Sequence, residues 1–370
     1  MNINRLDRIK NTFKTITDGL DIKEVQKLLK KEMPEVYSFY VNRMEEPNIE
    51  GKSLQRKINF AKRLFKRFLI ELSPARRIMY VASLLFFLEA IMASSLEWAF
   101  IAFLILNLLI ALELADKITS NEELSAASEI QNSLLPKNPP EFINYDISCY
   151  SETAKSVGGD YYDFILKDNN LILAIGDISG KGMAAAIHMV QVQALFRNIL
   201  TTYSSPKEVL SHLNENLLKL LQPGTFFTIN LASIRPDGSV QFCRAGHLPV
   251  IYFNRKEEKC INLIPKGMGI GLCRNGFFDN TLEELTILPE QGDILIFFTD
   301  GITEAMNTYL MEYGEDRLKA AVKNNAFKSA QGIKSAIIES IKRFTVNATV
   351  YDDITLIVLK MDVYNEPEKI

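Results

Sequence analysis

The feature that most restricts the fold is an apolar run of 37 residues at 78–114, in which the only charged side chains are three glutamates. A single helix of that length would measure about 55 Å, well beyond the roughly 30 Å hydrocarbon core of a bilayer. The polar sequence ASSLE at 93–97 interrupts the run. Together these features predict a two-helix membrane hairpin with arms at 78–94 and 96–114.

A buried helical hairpin in a cytoplasmic, soluble protein is the alternative, and Glu89 in the first arm favours it. The second arm is apolar on every face except at Asn107, whereas an amphipathic core helix would keep a polar face. Nine lysines and arginines lie between residues 52 and 77, against one acid. Because basic flanks stay on the cytoplasmic side, we expect a protein of the cytoplasmic membrane whose remaining domains face the cytoplasm.

The segment 112–135 has an amphipathic helical pattern that ends before Pro136. Its apolar positions fall near one stripe, which is typical of helices that pair with a copy of themselves. A single helix packed on the next domain would give the same pattern, and both interpretations stay open. A homodimer through 112–135 is therefore one of two expectations.

Short runs with β-strand character follow the linker PKNPPEF at 136–142, each bounded by turn residues. The predicted strands are 144–150, 160–166, 171–177, 226–234, 239–245, 248–254, 282–288, 293–299 and 354–361. The predicted helices among them are 182–202, 206–221, 314–323 and 330–345. Strands in blocks with helices in pairs indicate an α+β fold, and strands that are apolar at nearly every position indicate sheets covered on both faces. We expect a two-sheet β-sandwich flanked by pairs of helices.

Charge and cysteine content exclude several classes of protein. The formal net charge of −3 gives no electrostatic basis for binding nucleic acid. The four cysteines are far apart and form no C-x-x-C pair, so neither a disulfide framework nor a zinc site is indicated.

Acids recur at the edges of the predicted strands. They are Asp160 in GGDYYD, Asp177 in IGDISG, Asp300 in FFTDGITE, and Asp352 with Asp353 in YDDITLIVL. Any one of them could be a turn residue that accepts backbone N–H bonds. Several in one domain favour another interpretation, because strand ends that converge on one end of a sandwich would bring like charges together, and such a cluster needs a cation.

An all-carboxylate site without nearby cysteine or histidine favours Mg²⁺ or Mn²⁺ over zinc or copper. Two such ions can lower the pKa of a shared water from 15.7 towards about 7. Glycines beside the acids would let ions, water and phosphate approach the backbone. The chemistry indicated is metal-assisted hydrolysis of a phosphate ester.

The motifs VGGDYYDF, LAIGDISGKGMAAA, AGHLP, FTDGITEA and DDITLIVL occur in the order and spacing of a known family. The chain resembles the PPM-type (protein phosphatase 2C-like) metal-dependent serine/threonine phosphatases, in the SpoIIE/RsbU branch. The resemblance covers about residues 122–362, including AASEIQNSLLPKNPP, which is similar to the helix before the catalytic domain in that branch. It implies a PPM-like αββα fold and a two-metal phosphatase that forms no covalent intermediate.

The resemblance implies roles for individual residues. Asp160 and Asp177 are the expected catalytic residues, which hold two Mn²⁺ or Mg²⁺ ions around a bridging water. The expected metal ligands are Asp160, Asp177, the Ile178 carbonyl, Asp300 and Asp352, where Asp352 is preferred to Asp353 from the D-x-x-T pattern. The expected supporting residues around the ligands are Asp163, Asp353, Gly159 and Gly301.

Two positions of the family pattern are less well matched. Eukaryotic members carry a phosphate-binding arginine before the first Asp, and here no arginine occurs between Arg77 and Arg197. That role is vacant or passes to Lys155 or Lys181. His247 in AGHLP matches a recurrent family motif, as a turn residue or a catalytic one.

The predicted function is dephosphorylation of phosphoserine or phosphothreonine on a regulatory protein, which the resemblance implies to be an anti-sigma-factor antagonist in partner switching. The alternatives are a non-catalytic pseudophosphatase that binds a partner and a membrane-tethered two-metal nucleotide cyclase. The predicted parts are a basic helical region at 1–77, the membrane hairpin at 78–114, a signalling helix at 115–141, the phosphatase domain at 142–362 and a tail at 363–370.

Overall fold

The computed structural model describes residues 53–273, 276–346 and 352–362. The expectations for residues 1–52 and for the tail at 363–370 lie outside these ranges. The chain divides into two compact units, with the division between Thr119 and Ser120.

In the part of the chain that the structure describes, three helices precede the strands. They are α1 (Ser53–Glu71), α2 (Pro74–Ala93) and α3 (Leu96–Leu134). Between α2 and α3 the chain turns at Ser94, whose φ of 51° is left-handed. The Arg76 guanidinium near the start of α2 forms ion pairs with Glu113 (3.1 Å) and Asp116 (2.8 Å) of α3. The predicted turn at 93–97 is therefore present, and the two helices run antiparallel.

The membrane part of the hairpin prediction is not confirmed. Within the described residues, α3 is the one helix long and apolar enough to cross a bilayer, with a mean hydropathy of 2.3 in its most apolar window. The first predicted arm belongs to α2, which also contains Arg76, Arg77 and Glu89. The predicted signalling helix is not a separate element, because α3 continues without a break from the apolar arm to Leu134.

Ten strands form the second unit within the described ranges. They are β1 (Tyr145–Glu152), β2 (Tyr161–Lys167), β3 (Asn170–Ile178), β4 (Phe227–Ile234), β5 (Val240–Ala245), β6 (Val250–Asn254), β7 (Lys259–Leu263), β8 (Glu284–Ile287), β9 (Ile294–Phe298) and β10 (Ile354–Met361). The first sheet has the order β1-β10-β9-β6-β7 and the second the order β2-β3-β4-β5-β8. Every pairing is antiparallel.

Helices cover the outer face of each sheet. They are α4 (Met183–Leu200), α5 (Pro206–Leu217), α6 (Phe277–Thr281), α7 (Asp300–Thr303), α8 (Gly314–Asn325) and α9 (Ala330–Thr345). One buried cluster, with Met189 and Phe196, joins α4 and α5 to the second sheet. Another, with Leu318 and Ile337, joins α8 and α9 to the first. A third lies between the sheets, and this four-layer arrangement confirms the predicted α+β sandwich.

The strand β7 was not among the strands predicted from the sequence. This edge strand has exposed or half-buried residues, and it follows a charged turn, NRKEEK, that hides the hairpin signal. An edge strand needs no continuous apolar run, because only one of its sides is paired.

Asp163 joins α4 to β2. Its fully buried carboxylate accepts two hydrogen bonds from the Arg197 guanidinium, at 2.8 and 3.0 Å. It also accepts the Tyr161 hydroxyl at 3.0 Å and the Phe164 backbone N–H at 2.9 Å. These contacts leave Asp163 on the helix side of the second sheet, where it supports packing.

We expect Arg197→Met to destabilise the protein by about 2 kcal/mol, or roughly 5 °C in Tm, because it leaves the Asp163 charge buried without its partner. This expected loss of stability is smaller than the loss usual for breaking a fully buried ion pair, because the Arg197 side chain is 53% exposed. Thermal unfolding followed by circular dichroism measures it. Arg343→Met is the matched control, since its 4.0 Å pair with Glu339 is exposed and should change Tm little. Equal changes in Tm for the two substitutions would contradict a stabilising role of the Asp163–Arg197 pair.

Candidate active site

The acids predicted from the sequence lie at strand ends of both sheets. Asp160 immediately precedes β2, and Asp177 is the penultimate residue of β3 in the same sheet. Asp300 follows β9, and Asp352 and Asp353 precede β10, its neighbour in the other sheet. Their charges interact, since the carboxylates of Asp300, Asp352 and Asp353 all help to raise the pKa of Asp177. The sandwich therefore brings them to one end.

Asp160 lies between the two sheets, with 5% of its surface exposed. Its Oδ2 accepts the hydroxyls of Thr299 at 2.8 Å and Thr355 at 2.6 Å. The Thr299 hydroxyl also accepts the Thr355 backbone N–H at 2.9 Å. Burial raises the pKa of Asp160 well above its ordinary value, and the two hydroxyls partly oppose this shift.

These two threonines were not among the site residues predicted from the sequence. Both were visible in the motifs, as the residue before Asp300 in FFTDG and as the last residue of DDIT. Thr299 directly precedes Asp300, and Thr355 follows Asp353 by two residues. The available signal was therefore a hydroxyl within two residues of a strand-end carboxylate in both motifs.

Asp177 lies against the GGD loop at 158–160. Burial, then the charges of the neighbouring acids, raises its pKa to about 7. A Cβ atom on Gly159 would lie 3.0 Å from Asp177 Oδ1 and 3.0 Å from the Ile178 carbonyl oxygen. Only a residue without a side chain lets the loop approach both oxygens this closely.

Asp352 and Asp353 have different surroundings. Asp353 accepts the backbone N–H groups of Ala154 and Gly159, each at 2.8 Å. A Cβ on Gly158 would lie 2.3 Å from Asp353 Oδ2. Asp352 accepts the Asp353 backbone N–H at 3.0 Å through Oδ1, and its Oδ2 pairs with the Lys181 ammonium. Asp353 thus holds the GGD loop through backbone N–H groups, while Asp352 faces the ammonium group of Lys181.

Three other predicted residues have clear positions. Gly301 packs on the chain before β10, where a Cβ would lie 2.0 Å from the Asp353 carbonyl oxygen. Lys181, in the loop between β3 and α4, reaches the acids through Asp352. Lys155 is exposed in the loop between β1 and β2.

His247 connects the two sheets. Its Nε2 lies 3.1 Å from the Phe298 carbonyl oxygen at the end of β9, and its Nδ1 lies 2.9 Å from the Thr228 hydroxyl on β4. Because a carbonyl only accepts, Nε2 carries the proton and Nδ1 accepts from Thr228. Thr228 is paired with Asp177, and Phe298 is two residues before Asp300. Burial lowers the pKa of His247 to about 4, so the ring is neutral and acts as a cross-link.

The donor set fits a divalent cation that prefers oxygen ligands. Within the described residues, no three Asp, Glu, His or Cys side chains already form a group that could hold a metal ion. The acids nevertheless meet in a partly buried place where their repulsion raises pKa values, and one of them already faces an ammonium group. A cation would relieve that repulsion, and carboxylate and carbonyl oxygens suit Mg²⁺ or Mn²⁺.

The chain is similar to known proteins in sequence and in fold. The model of the family described as Stage II sporulation protein E (SpoIIE) matches residues 167–362, more than half of the chain. Phosphoserine phosphatase RsbU of Bacillus subtilis (strain 168) is 28% identical over 242 residues, which cover 65% of this chain and 70% of RsbU.

Two solved structures have the same fold. The SiaA-PP2C domain of Pseudomonas aeruginosa superposes with a TM-score of 0.59 at 17% identity, over 67% of this chain and 99% of that domain. The PP2C phosphatase domain of SpoIIE from Bacillus subtilis, with a fragment of its regulatory domain, gives a TM-score of 0.51 at 23% identity, over 60% of this chain and 63% of that one.

The buried His247 predicts a specific pH dependence. In the unfolded chain the ring takes up a proton below about pH 6.5, but in the folded protein only near pH 4. The unfolded state therefore binds more protons between these values, and stability is lost as the pH falls through them.

For His247→Gln, which removes this titration, we expect the stability difference from wild type to be about 2 kcal/mol smaller at pH 5 than at pH 7. Thermal unfolding of both proteins at the two pH values measures the difference. A gap that stays constant with pH would show that folding does not change the pKa of the ring, and would contradict this prediction.

Proposed function

The chain belongs to the SpoIIE family of PPM-type phosphatases, and we propose that it dephosphorylates phosphoserine or phosphothreonine on a regulatory protein. The observation that carries the proposal is the meeting of strand-end acids from both sheets, with Gly159 packed against the Asp177 carboxylate and the Ile178 carbonyl. The name of the relative RsbU, a phosphoserine phosphatase, supports the substrate class.

In this proposal the protein holds two Mn²⁺ or Mg²⁺ ions. The ligands are Asp160, Asp177, the Ile178 carbonyl, Asp300 and Asp352. Such ions would supply a water acidic enough to attack phosphorus at neutral pH. Asp352 is preferred to Asp353 because both oxygens of Asp353 already accept backbone N–H groups.

The neighbouring side chains position these ligands. Thr299 and Thr355 orient Asp160 from the opposite sheet. His247 fixes the spacing between the end of β9 and the strand opposite Asp177. Positioning of this kind matters, because hydrolysis of a phosphate monoester requires attacking and leaving oxygens on a line.

Lys181 is the better of the two predicted phosphate contacts. Its ammonium group already lies at Asp352, whereas Lys155 is exposed in the β1–β2 loop. An ammonium beside the ligands could pair with a phosphate oxygen once a cation takes its place at Asp352.

We also propose that the protein is attached to a membrane and that two copies of the chain pair through α3. The most apolar window of α3 is only 11% buried, as expected for a helix whose surroundings are lipid. Further along α3, Ile118 and Ile130 are exposed apolar residues, 49% and 62%, which a second copy of the helix could cover.

We expect Asp177→Asn to lower metal-dependent hydrolysis at least ~100-fold, because even groups that only support metal ligands are worth about 10–100-fold. The assay follows release of phosphate from p-nitrophenyl phosphate and from a phosphoserine protein in Mn²⁺, with EDTA as a second arm. Asp316→Asn, in the first turn of α8, is the matched control and should keep full activity. Full activity of Asp177→Asn, or of the wild type in EDTA, would contradict the metal-dependent mechanism. Formation of a cyclic product from ATP would indicate a cyclase.

Deleting 78–114 should move the protein from the membrane pellet to the soluble fraction. The reason is that the deletion removes the exposed apolar surface of α2 and α3. Fractionation of cells after a high-salt wash, with immunodetection of both forms, tests this. Recovery of the full chain in the soluble fraction would count against the tether.

A further inference from the structure

A cavity of about 360 Å³ adjoins the acids of the candidate active site. Lys181, Gly301 and Asp352 form part of its wall. Its volume is in the range of ligand sites in proteins, roughly 300–1,000 Å³. A substrate whose phosphate lies at these residues therefore has its neighbouring atoms in or beside this cavity.

The rest of the wall is mainly apolar. Its apolar side chains come from the loop after α7, from α9 and from the first residue of β10, and they are Ala305, Met306, Leu310, Ile338, Ile341 and Ile354. Ile341 and Ile354 are only 4% and 6% exposed and belong to the buried cluster that joins α9 to the first sheet, with Ile338 packed against it. The core fixes this part of the wall, so the cavity is formed before a ligand enters.

Hydrogen bonds within residues 305–313 fix the loop side of the cavity. The Asn307 Oδ1 accepts the backbone N–H groups of Tyr309 at 2.9 Å and Met311 at 3.0 Å. The Tyr313 backbone N–H donates to the Ala305 carbonyl oxygen at 2.8 Å and closes the loop. A wall that is ordered in advance lowers the conformational entropy lost when a ligand binds.

Leu310 belongs to this loop and lines the cavity. Its φ of 60° is left-handed, a conformation that disfavours leucine and suits glycine or asparagine. Its side chain is 72% exposed, so it contributes little to the core. Neither the turn nor the packing of the domain requires a leucine there, which indicates that the side chain serves binding.

The charges in the wall do not select a charged ligand. The acids that line the cavity are Glu152, Glu304 and Asp352, and the bases are Lys181 and Lys342. Charges of the two signs nearly balance, so neither an anion nor a cation is strongly favoured. The apolar surface is therefore the part of the wall that discriminates between ligands.

We propose that this cavity is a specificity subsite, which receives a large apolar side chain of the phosphoprotein substrate within two residues of the phosphorylated serine or threonine. The inference rests on the proposed function, because it places the phosphate at Asp352 and Lys181. An extended chain advances about 3.3–3.6 Å per residue, so only side chains close to the phosphorylated residue reach a cavity that begins at those two groups. Binding energy gained there raises kcat/KM for substrates that carry the side chain.

The test uses the full-length protein in Mn²⁺ and short peptides that contain one phosphoserine among glycines. Leucine replaces glycine in turn at each of the two positions on either side of the phosphoserine, and aspartate does so in a matched set. Phosphate release gives kcat/KM for every peptide. We expect leucine at one or more of these positions to raise kcat/KM about 10-fold over the glycine peptide, and aspartate to give no gain.

Two variants test the wall directly. In Leu310→Asn, asparagine suits the left-handed backbone, so Tm should stay the same or rise. The advantage of the leucine peptide over the glycine peptide should nevertheless fall to about twofold or less, because the apolar contact is lost. Ile338→Ala removes another part of the wall and should reduce the same ratio. Calorimetric titration of each variant with Mn²⁺ reports separately on the metal site.

Leu288→Asn is the matched control. This leucine follows the edge strand β8, is 68% exposed and lies outside the wall of the cavity. The variant should keep the full advantage of the leucine peptide.

Equal kcat/KM values for the leucine, aspartate and glycine peptides would overturn the inference. A leucine advantage that survives both Leu310→Asn and Ile338→Ala would do the same. So would a change of oligomeric state in Leu310→Asn, measured by sedimentation, because the cavity would then serve contact between copies of the chain. If the wild type hydrolyses none of the phosphoserine peptides, the proposed function itself fails, and the inference fails with it.

Discussion

The repulsion among carboxylates at one end of the sandwich is the constraint on which the site depends. Ionised groups this close, and partly withdrawn from water, raise one another's pKa values. The effect is plain at Asp177, whose pKa is raised to about 7 by burial and by the acids of the opposite sheet. A stable fold must supply compensating donors, and Asp160, Asp352 and Asp353 each have them.

The compensating groups differ in kind. Asp160 receives two threonine hydroxyls, Asp353 receives two backbone N–H groups, and Asp352 receives an ammonium. Backbone donors are fixed by the fold, whereas the lysine is on a long side chain that can move. Both oxygens of Asp353 are therefore held by the backbone, whereas the partner of Asp352 is a side chain that can move.

The three buried clusters make this arrangement rigid. Helices cover both outer faces, and the apolar layer between the sheets fixes their separation. His247 adds a polar cross-link in that layer near the acids, and Gln131 ties the chain before the domain to the GGD loop. The positions of the acids thus depend on residues from α3 and from both sheets.

The sequence by itself determined the α+β class, nearly all strands, the apolar helix, the strand-end acids and the family. These features are local, since they depend on runs of apolar residues, on turns and on short motifs. The edge strand β7 was missed because its residues are exposed and carry no continuous apolar signal. The first predicted membrane arm, at 78–94, was not confirmed, because α2 includes Arg76, Arg77 and Glu89.

Only the tertiary structure decided which acids share an environment. Asp163 stands three residues from Asp160, yet alternation along β2 turns it towards Arg197 and away from the site. Asp352 and Asp353 are neighbours in sequence but have different partners, because one faces the GGD loop and the other faces Lys181. Thr299 and Thr355 contact Asp160 across 139 and 195 residues of sequence. His247 contacts Phe298 across 51 residues, and Gln131 contacts Gly158 across 27. Contacts of that range depend on how sheets and helices pack, which no local pattern records.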